Sequence, residues 1–492
     1  MTMLSEDRSQ ARETDVTTRL DRLPWSPFHR YVAIALGIVW LLDAFEVNII
    51  GSVLPTIQRY FNLGSLESSL VVSVWLIGVM FGAFFFGYLS DSFGRRPLFM
   101  ITLSLYAVST LIAALSINFP MFLFFRFLTA IAVGAEYSAI NTAITEFIPS
   151  ARRGRVNARV QNFWNIGSIL SALVSLVFLN LLPETLGWRL AFAFGAIAAV
   201  TIIWVRRLVP ESPRWLVSRG RVHEAEQLVR GIEARVTREV GMNIADLPPA
   251  ASKAIVQNEA QPFWAQVQEL LRRYPGRVAL GGALDFSEAF GYYGIFAFFP
   301  LAIAPAVGIS ESQVPLFFLA GTIGALFGGF MVVGMIDRLG RKVSVPLFYT
   351  LAAITAVLMW PAAATGSQVI VLISFIFANC FAGSAWISAY PTFAEFFPTH
   401  LRATGIGLSV AIGRLGGTIS APLLVYVATQ TPLGLAGGFT LLAFGWLIGA
   451  IAMIPWYFRG VEGAGAALED MQGDGATREA TLPVVVSAAA NQ

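Results

Sequence analysis

Apolar residues in this chain come in long blocks rather than in short alternation. Twelve predominantly apolar runs begin near Tyr31, Ser68, Pro97, Pro120, Asn157, Arg189, Arg277, Ser312, Val343, Gln368, Ala403 and Leu433. A run of about twenty apolar residues crosses the roughly 30 Å hydrocarbon core of a bilayer as one helix. The pattern therefore predicts twelve transmembrane helices. The longest polar interval, roughly Pro210 to Arg273, follows the sixth run and divides the chain six plus six. Within it, "SRGRVHEAEQLVRGIEARV" has helical periodicity and mixed charge, which predicts short surface helices rather than a loose connector. The expected organisation is an N-terminal segment (1–30), a first six-helix bundle (31–209), a helical loop (210–276), a second six-helix bundle (277–458) and a tail (459–492). The tail is rich in Gly and Ala and is expected to be disordered.

Composition agrees with the pattern. Of 492 residues, 56% are hydrophobic and 13% charged, and a soluble domain cannot hide so much apolar surface. Cys380 is the single cysteine, which excludes an internal disulfide and a cysteine metal site; no cofactor or metal is expected. The polar start, "MTMLSEDRSQARETDVTTRLDR", lacks the apolar core of a cleavable signal peptide. Basic residues crowd alternate loops: Arg8, Arg12, Arg19, Arg22 and Arg30 before helix 1, Arg95 and Arg96 after helix 2, Arg152, Arg153, Arg155 and Arg159 after helix 4, and Arg338, Arg341 and Lys342 after helix 8. On the other side only Arg59 and Arg189 stand out. Because positive loops stay in the cytoplasm, both termini are predicted to be cytoplasmic, in a multi-pass protein of the plasma (inner) membrane.

The two halves repeat one another. "LDAFE" at Leu42 returns as "LDFSE" at Leu284, 242 residues later. "DSFGRR" at Asp91 returns as "DRLGRK" at Asp337, 246 later, and "EFIPSARR" at Glu146 as "EFFPTHLR" at Glu395, 249 later. Three motifs in one order at nearly one spacing mark a duplication, the build of many secondary transporters, whose substrate site lies between the repeats near mid-membrane.

These motifs also carry a family likeness. "GYLSDSFGRRP" (Gly87 to Pro97) resembles the loop signature of the major facilitator superfamily between helices 2 and 3, and "PESPRWL" (Pro210 to Leu216) is similar to the segment after helix 6 in its sugar-porter branch. Arg126, Gly134, Glu146, Pro149 and the "RRG" from Arg152 match that branch's helix 4 in spacing. The resemblance runs from Tyr31 to Arg459 and implies an all-α integral membrane fold. That fold has twelve transmembrane helices in two pseudo-symmetric six-helix bundles, with short cytoplasmic helices between. The departures are informative. Ser287 and Glu288 stand where sugar porters carry a glutamine pair, Tyr390 stands at their helix 10 tryptophan, and Val333 replaces a loop glycine. "GAEYSAINTAITEF" and "YPTFAEFFPTHLRATG" instead look like metabolite–proton symporters that include nicotinate and aromatic-acid carriers.

A charge at bilayer centre costs about 3 kcal/mol on insertion scales, so intramembrane acids usually mark function. Asp43 and Glu46 share a helix face with Trp40, and Asp285, Glu288 and Tyr292 form one stripe on helix 7. The basic residues expected well inside helices are Arg126 and Arg414. Helix 1 runs outward and helix 4 inward, so a Glu46–Arg126 contact is expected. Asp43 is the leading proton carrier, Glu46 its partner and Arg126 the counter-charge, with Glu136 a further titratable candidate. Static ion pairing that fixes helix packing is the plain alternative. The candidate substrate-binding set is Trp40, Gln161, Asn165, Asp285, Glu288, Tyr292, Tyr293, Asn379, Trp386 and Tyr390, an aromatic and amide wall suited to a small planar or hydroxylated metabolite. By family resemblance, Asp91, Arg95, Arg96, Glu146 and Arg153, with Asp337, Arg341, Glu395 and Arg402, form salt bridges at an inner gate.

An enzyme lacks its chemistry here: His29, His223 and His400 fall outside the membrane core, and neither H-E-x-x-H nor G-x-S-x-G occurs. The expectation is a proton-coupled symporter of a small organic metabolite, an organic or aromatic acid, working as a monomer by alternating access. Its partners are the substrate, protons and the lipid bilayer, with no nucleic acid. Sugar or polyol transport, efflux by proton antiport, and a non-transporting nutrient sensor are the alternatives.

Overall fold

The computed structural model describes residues 11–459 except 94, 207–210, 219, 248, 250–252, 257–261 and 398–400. Twelve long helical passages account for most of it. The first six are α2 (Pro27–Tyr60), α3 (Ser65–Phe93), α4 (Arg95–Ala114), α5 (Phe119–Phe147), α6 (Ser150–Leu181) and α7 (Glu184–Arg206). The second six are α11 (Pro275–Phe298) with its continuation α12 (Ala304–Val307), α13 (Val314–Leu339), α14 (Arg341–Ala364), α15 (Gln368–Phe396), α16 (Arg402–Gln430) and α17 (Gly434–Arg459). Among the described residues nine helices are long and apolar enough to span a bilayer by themselves. Their outward side chains are apolar: Phe85, Phe124, Ile197, Phe327, Phe330 and Phe377 are each more than half exposed. Such a belt is stable only against lipid, and helices suit that setting because they satisfy their backbone polar groups internally.

Local sequence sets the helix ends. Ser26 caps α2, with His29 reaching back to the Ser26 amide at 3.2 Å and Pro27 in the first turn. Where Pro300 withholds an N–H, α11 passes through one π turn, Phe299–Ile303, before α12. Asn62 takes a left-handed conformation (φ 53°) in the short turn between α2 and α3.

The duplication read from the motifs recurs in the packing. A Cβ on Gly82 of α3 would collide with the Ile131 carbonyl of α5, and one on Gly328 of α13 with the Cys380 carbonyl of α15. Likewise Gly167 of α6 abuts the Leu41 carbonyl of α2, and Gly416 of α16 the Phe286 carbonyl of α11. Gly82 to Gly328 is 246 residues; Ile131 to Cys380 and Gly167 to Gly416 are 249. The same helix pairs are pressed together in both halves, because only a glycine lets backbones approach so closely. The halves themselves meet along α3 against α16 and α6 against α13.

On the face where α2 begins and α17 ends lie α1 (Val16–Asp21), α8 (Pro213–Ser218), α9 (Val222–Val240) and α10 (Phe263–Arg273). The helical periodicity expected in the long polar interval is present. A two-stranded antiparallel ribbon, Ala11–Thr14 against Lys253–Val256, was not legible in the sequence and ties the N-terminal segment to that interval. Arg19 Nε and Arg22 Nη2 donate to the same Glu233 oxygen at 3.0 and 2.8 Å. Burial alone would raise the Glu233 carboxyl, but these hydrogen bonds outweigh it and hold it below the usual carboxylate range. The expected disordered tail lies outside the described residues.

Candidate functional site

Where the two halves meet, the interior is aromatic. Trp40 and Asn48 come from α2, Trp75 from α3, Trp164 from α6, Tyr292, Tyr293 and Phe296 from α11, and Trp386 from α15; all are buried. Trp40 and Trp164 lie 5.2 Å apart, and Trp164 stacks on Trp386 at 5.7 Å with 21° between planes. Tyr292 sits 5.0 Å from Trp386, and Tyr293 6.1 Å from Trp75. Polar contacts cross the same boundary. Trp164 Nε1 donates to the Tyr292 hydroxyl at 2.9 Å, and that hydroxyl donates to Asn48 Oδ1 at 3.2 Å. Asn165 Nδ2 donates to Asn162 at 2.8 Å and reaches the Ala325 carbonyl of α13 at 3.5 Å. Flat aromatic surfaces with a few fixed polar atoms beside them suit a small planar ligand.

The charges divide between the halves. In the first, Arg126 of α5 pairs with Glu46 of α2, as expected, with side-chain exposures of 1% and 0%. The Tyr106 hydroxyl donates to the other Glu46 oxygen at 3.5 Å, and the guanidinium lies 5.2 Å from the Phe192 ring. Asp43, one turn earlier on α2, is buried. In the second half, Arg414 of α16 donates to Asp285 of α11 at 3.3 Å, both side chains 0% exposed. Its guanidinium also lies over Tyr293 (5.3 Å) and Trp386 (5.6 Å), so this charge borders the aromatic junction. Glu288, expected at substrate, turns into its own half toward Tyr349 of α14, whose hydroxyl lies 3.4 Å away. Ser287 likewise donates to the Gly445 carbonyl of α17 at 2.6 Å.

Of the other expected site residues, Gln161 is buried, with Nε2 3.4 Å from Asn157 Oδ1. Asn379 is only partly buried and donates to its own helix at the Phe375 carbonyl (2.9 Å). Arg341 is buried at the start of α14. The side chains of Glu136, Tyr390, Asp91, Arg95, Arg96, Glu146, Arg153, Asp337, Glu395 and Arg402 lie outside the described residues. Five participants carried no assignment in the sequence: Arg414, Trp164, Asn48, Trp75 and Phe296. Arg414 had a usable signal, since it is one of two arginines deep inside apolar runs. Trp164 had a weaker one, lying three residues from Gln161 on a polar face of its helix.

On the opposite face of the molecule Arg59, at the end of α2, joins the halves. It donates to Glu184 of the first half at 2.5 Å and lies 3.2 Å from Glu311 of the second.

Comparison with known proteins adds the following. The family described as "Sugar (and other) transporter" matches residues 32–474. The niacin transporter NiaP of Acinetobacter baylyi is 32% identical over 416 residues, covering 84% of this chain and 90% of the relative. The inner membrane metabolite transport protein YgcS of Escherichia coli is 26% identical, covering 89% and 93%. Among solved structures, the proton:xylose symporter XylE bound to 6-bromo-6-deoxy-D-glucose superposes with a TM-score of 0.70 at 21% identity, covering 90% of this chain and 98% of that one.

Proposed function

The chain belongs to the sugar (and other) transporter family, and from that premise we propose that it is a proton-coupled symporter of a small organic acid, aromatic acids foremost. One observation carries the substrate class: the buried Arg414 guanidinium borders the Trp386 and Tyr293 rings at the junction of the halves. A guanidinium is the side chain best suited to a carboxylate, and flat rings beside it suit an aromatic body. The niacin transporter among the relatives agrees with this reading. The commitment of Ser287 to the Gly445 and Trp446 carbonyls disfavours sugar hydroxyls at that place.

The coupling machinery is Asp43, Glu46 and Arg126. Their buried charges sum to −1 when all are ionised, an arrangement that one proton neutralises. Taking up and losing that proton changes how tightly α2 is held to α5, which biases the two halves between their alternate arrangements. The acids and arginines of the duplicated loops serve as the gate on the face of the termini, which the loop charges assign to the cytoplasm.

The test is uptake of labelled nicotinate into proteoliposomes with and without an imposed proton gradient. Accumulation above the equilibrium level only with the gradient supports symport. Uptake indifferent to the gradient, or none for any aromatic acid that binds, would overturn it.

A further inference from the structure

Beyond the coupling site of the first half lies a second group of buried ionisable residues, of which only Arg414 has a role in the mechanism above. It belongs to α11, α14 and α16, and its members are Asp285, Glu288, Tyr349 and Arg414. Among the described residues, the two buried groups hold the same set of charges, two carboxyls and one guanidinium, but distribute them differently. In the first half the glutamate takes the arginine; in the second the aspartate does. The arginines do not correspond: 249 residues before Arg414 stands Asn165. Both glutamates, however, face a tyrosine hydroxyl, Tyr106 at 3.5 Å and Tyr349 at 3.4 Å. That likeness is of role, since the 246-residue loop spacing would place Ala352, one turn away, opposite Tyr106.

The geometry leaves room for a proton on Glu288. Tyr349 has one hydroxyl hydrogen, and both the Leu284 carbonyl at 3.2 Å and Glu288 Oε2 at 3.4 Å lie within its reach. A carbonyl can only accept. With the hydroxyl hydrogen on Leu284, the Glu288 contact is favourable only if the carboxyl carries its own hydrogen and donates it to Tyr349. The charged and titratable groups facing Glu288 are Asp285 from its own helix, Arg414 from α16 and Tyr349 from α14; α17 presents Trp446, which stacks edge-on against Tyr349 at 5.7 Å. Arg414 bonds to Asp285, so an ionised Glu288 would leave a net negative charge among these three buried side chains.

We propose that Glu288 is a second proton-binding site, loaded before substrate and required for it. This rests on the reading of the chain as an organic-acid symporter. With Glu288 protonated, this group is neutral and Arg414 can accept an anion at the aromatic junction. With Glu288 ionised, the group is already negative and rejects the anion. The proton taken up by the Glu288 carboxylate on one side of the membrane is given back to water on the other, after the anion has left. Together with the proton of the first half, each monovalent anion then travels with two protons, and transport moves one net positive charge.

Nicotinate-evoked current and labelled nicotinate uptake, measured on the same proteoliposomes, test this. Wild-type uptake is expected to carry positive current inward. In Glu288→Gln, which mimics the loaded state, uptake should persist and the current disappear, because one proton then accompanies one anion. Electroneutral wild-type uptake that still responds to the proton gradient would overturn the second site alone. So would a Glu288→Gln current equal to the wild type's. Uptake indifferent to the gradient would overturn the symporter reading as well. Infrared spectroscopy of the resting protein decides independently of turnover. A protonated-carboxyl band at neutral pH should be absent from Glu288→Gln and shifted in Tyr349→Phe, and an identical spectrum in wild type and Glu288→Gln would refute the proposal.

Discussion

Removing Glu46 and Arg126 singly and together separates coupling from packing. Both side chains are excluded from solvent, at 0% and 1% exposure. At the usual ion-pair separation of about 3 Å and an effective dielectric near 20, such an attraction is about 5 kcal/mol, and each ion gives up several kcal/mol of hydration to be there. The two terms nearly cancel. Arg126→Leu alone, however, strands an ionised Glu46 beside Phe192 and Tyr106, a loss of about 3–5 kcal/mol. For a bundle of this size that corresponds to a fall in melting temperature on the order of 10 °C. The double variant Glu46→Gln with Arg126→Leu removes both charges and should melt within a few degrees of wild type. Stability thus returns, and what remains is function. Nicotinate exchange down equal gradients should survive in the double variant, while proton-driven accumulation should fall and lose its inward current, because only the Glu288 proton then travels with the anion. Melting is read by intrinsic fluorescence in detergent, exchange and accumulation by labelled uptake. A double variant that accumulates nicotinate as wild type does would show that the pair only fastens α2 to α5.

Further outcomes follow from other contacts. Arg414→Ala should weaken nicotinate binding at least about 30-fold, the equivalent of about 2 kcal/mol for a buried charge-assisted contact; calorimetry showing unchanged affinity would remove Arg414 from the site. Glu233→Ala should release residues 11–22 from α9, seen as lost hydrogen-exchange protection at pH 7, because Arg19 and Arg22 converge on that carboxylate. Since the folded Glu233 carboxyl lies below its ordinary value, its stabilisation is present at neutral pH. The wild type should therefore lose the same protection only as pH drops below about 4; protection unchanged to lower pH would contradict this. Arg59→Ala cuts a half-exposed tie between the halves, worth about 0–1 kcal/mol, so the share of molecules open on that face should rise by no more than about fivefold. Single-molecule distances between the ends of α2 and α13 check this, and no shift would mean that the tie does not hold that face closed.

The physical picture joins two features that sequence order keeps apart. Rings from α2, α6, α11 and α15 close over one another at the junction, and Arg414 is the buried charge that touches them. The Glu46–Arg126 pair lies within the first half, among α2, α4, α5 and α7. A ligand at the rings and a proton at the pair would therefore communicate through movement of α2, which carries Trp40 and Asn48 as well as Glu46.

Much of this protein is determined by its amino-acid order alone. Apolar runs about twenty residues long have few alternatives to membrane helices, so number and length follow from composition. The duplication was legible for the same reason: the glycines and loop motifs that allow close helix crossings must recur at fixed spacing. The Glu46–Arg126 contact followed from helix direction and depth. What only the tertiary structure decided is direction around each helix axis and choice of partner. A helix set between lipid and an apolar core is apolar on every side, so nothing local says whether Glu288 faces the junction or α14, or whether Arg414 meets Asp285 or Glu288. Those choices depend on which neighbouring helix offers a complementary group, information carried by residues 61 positions away for Glu288 and 129 for Asp285.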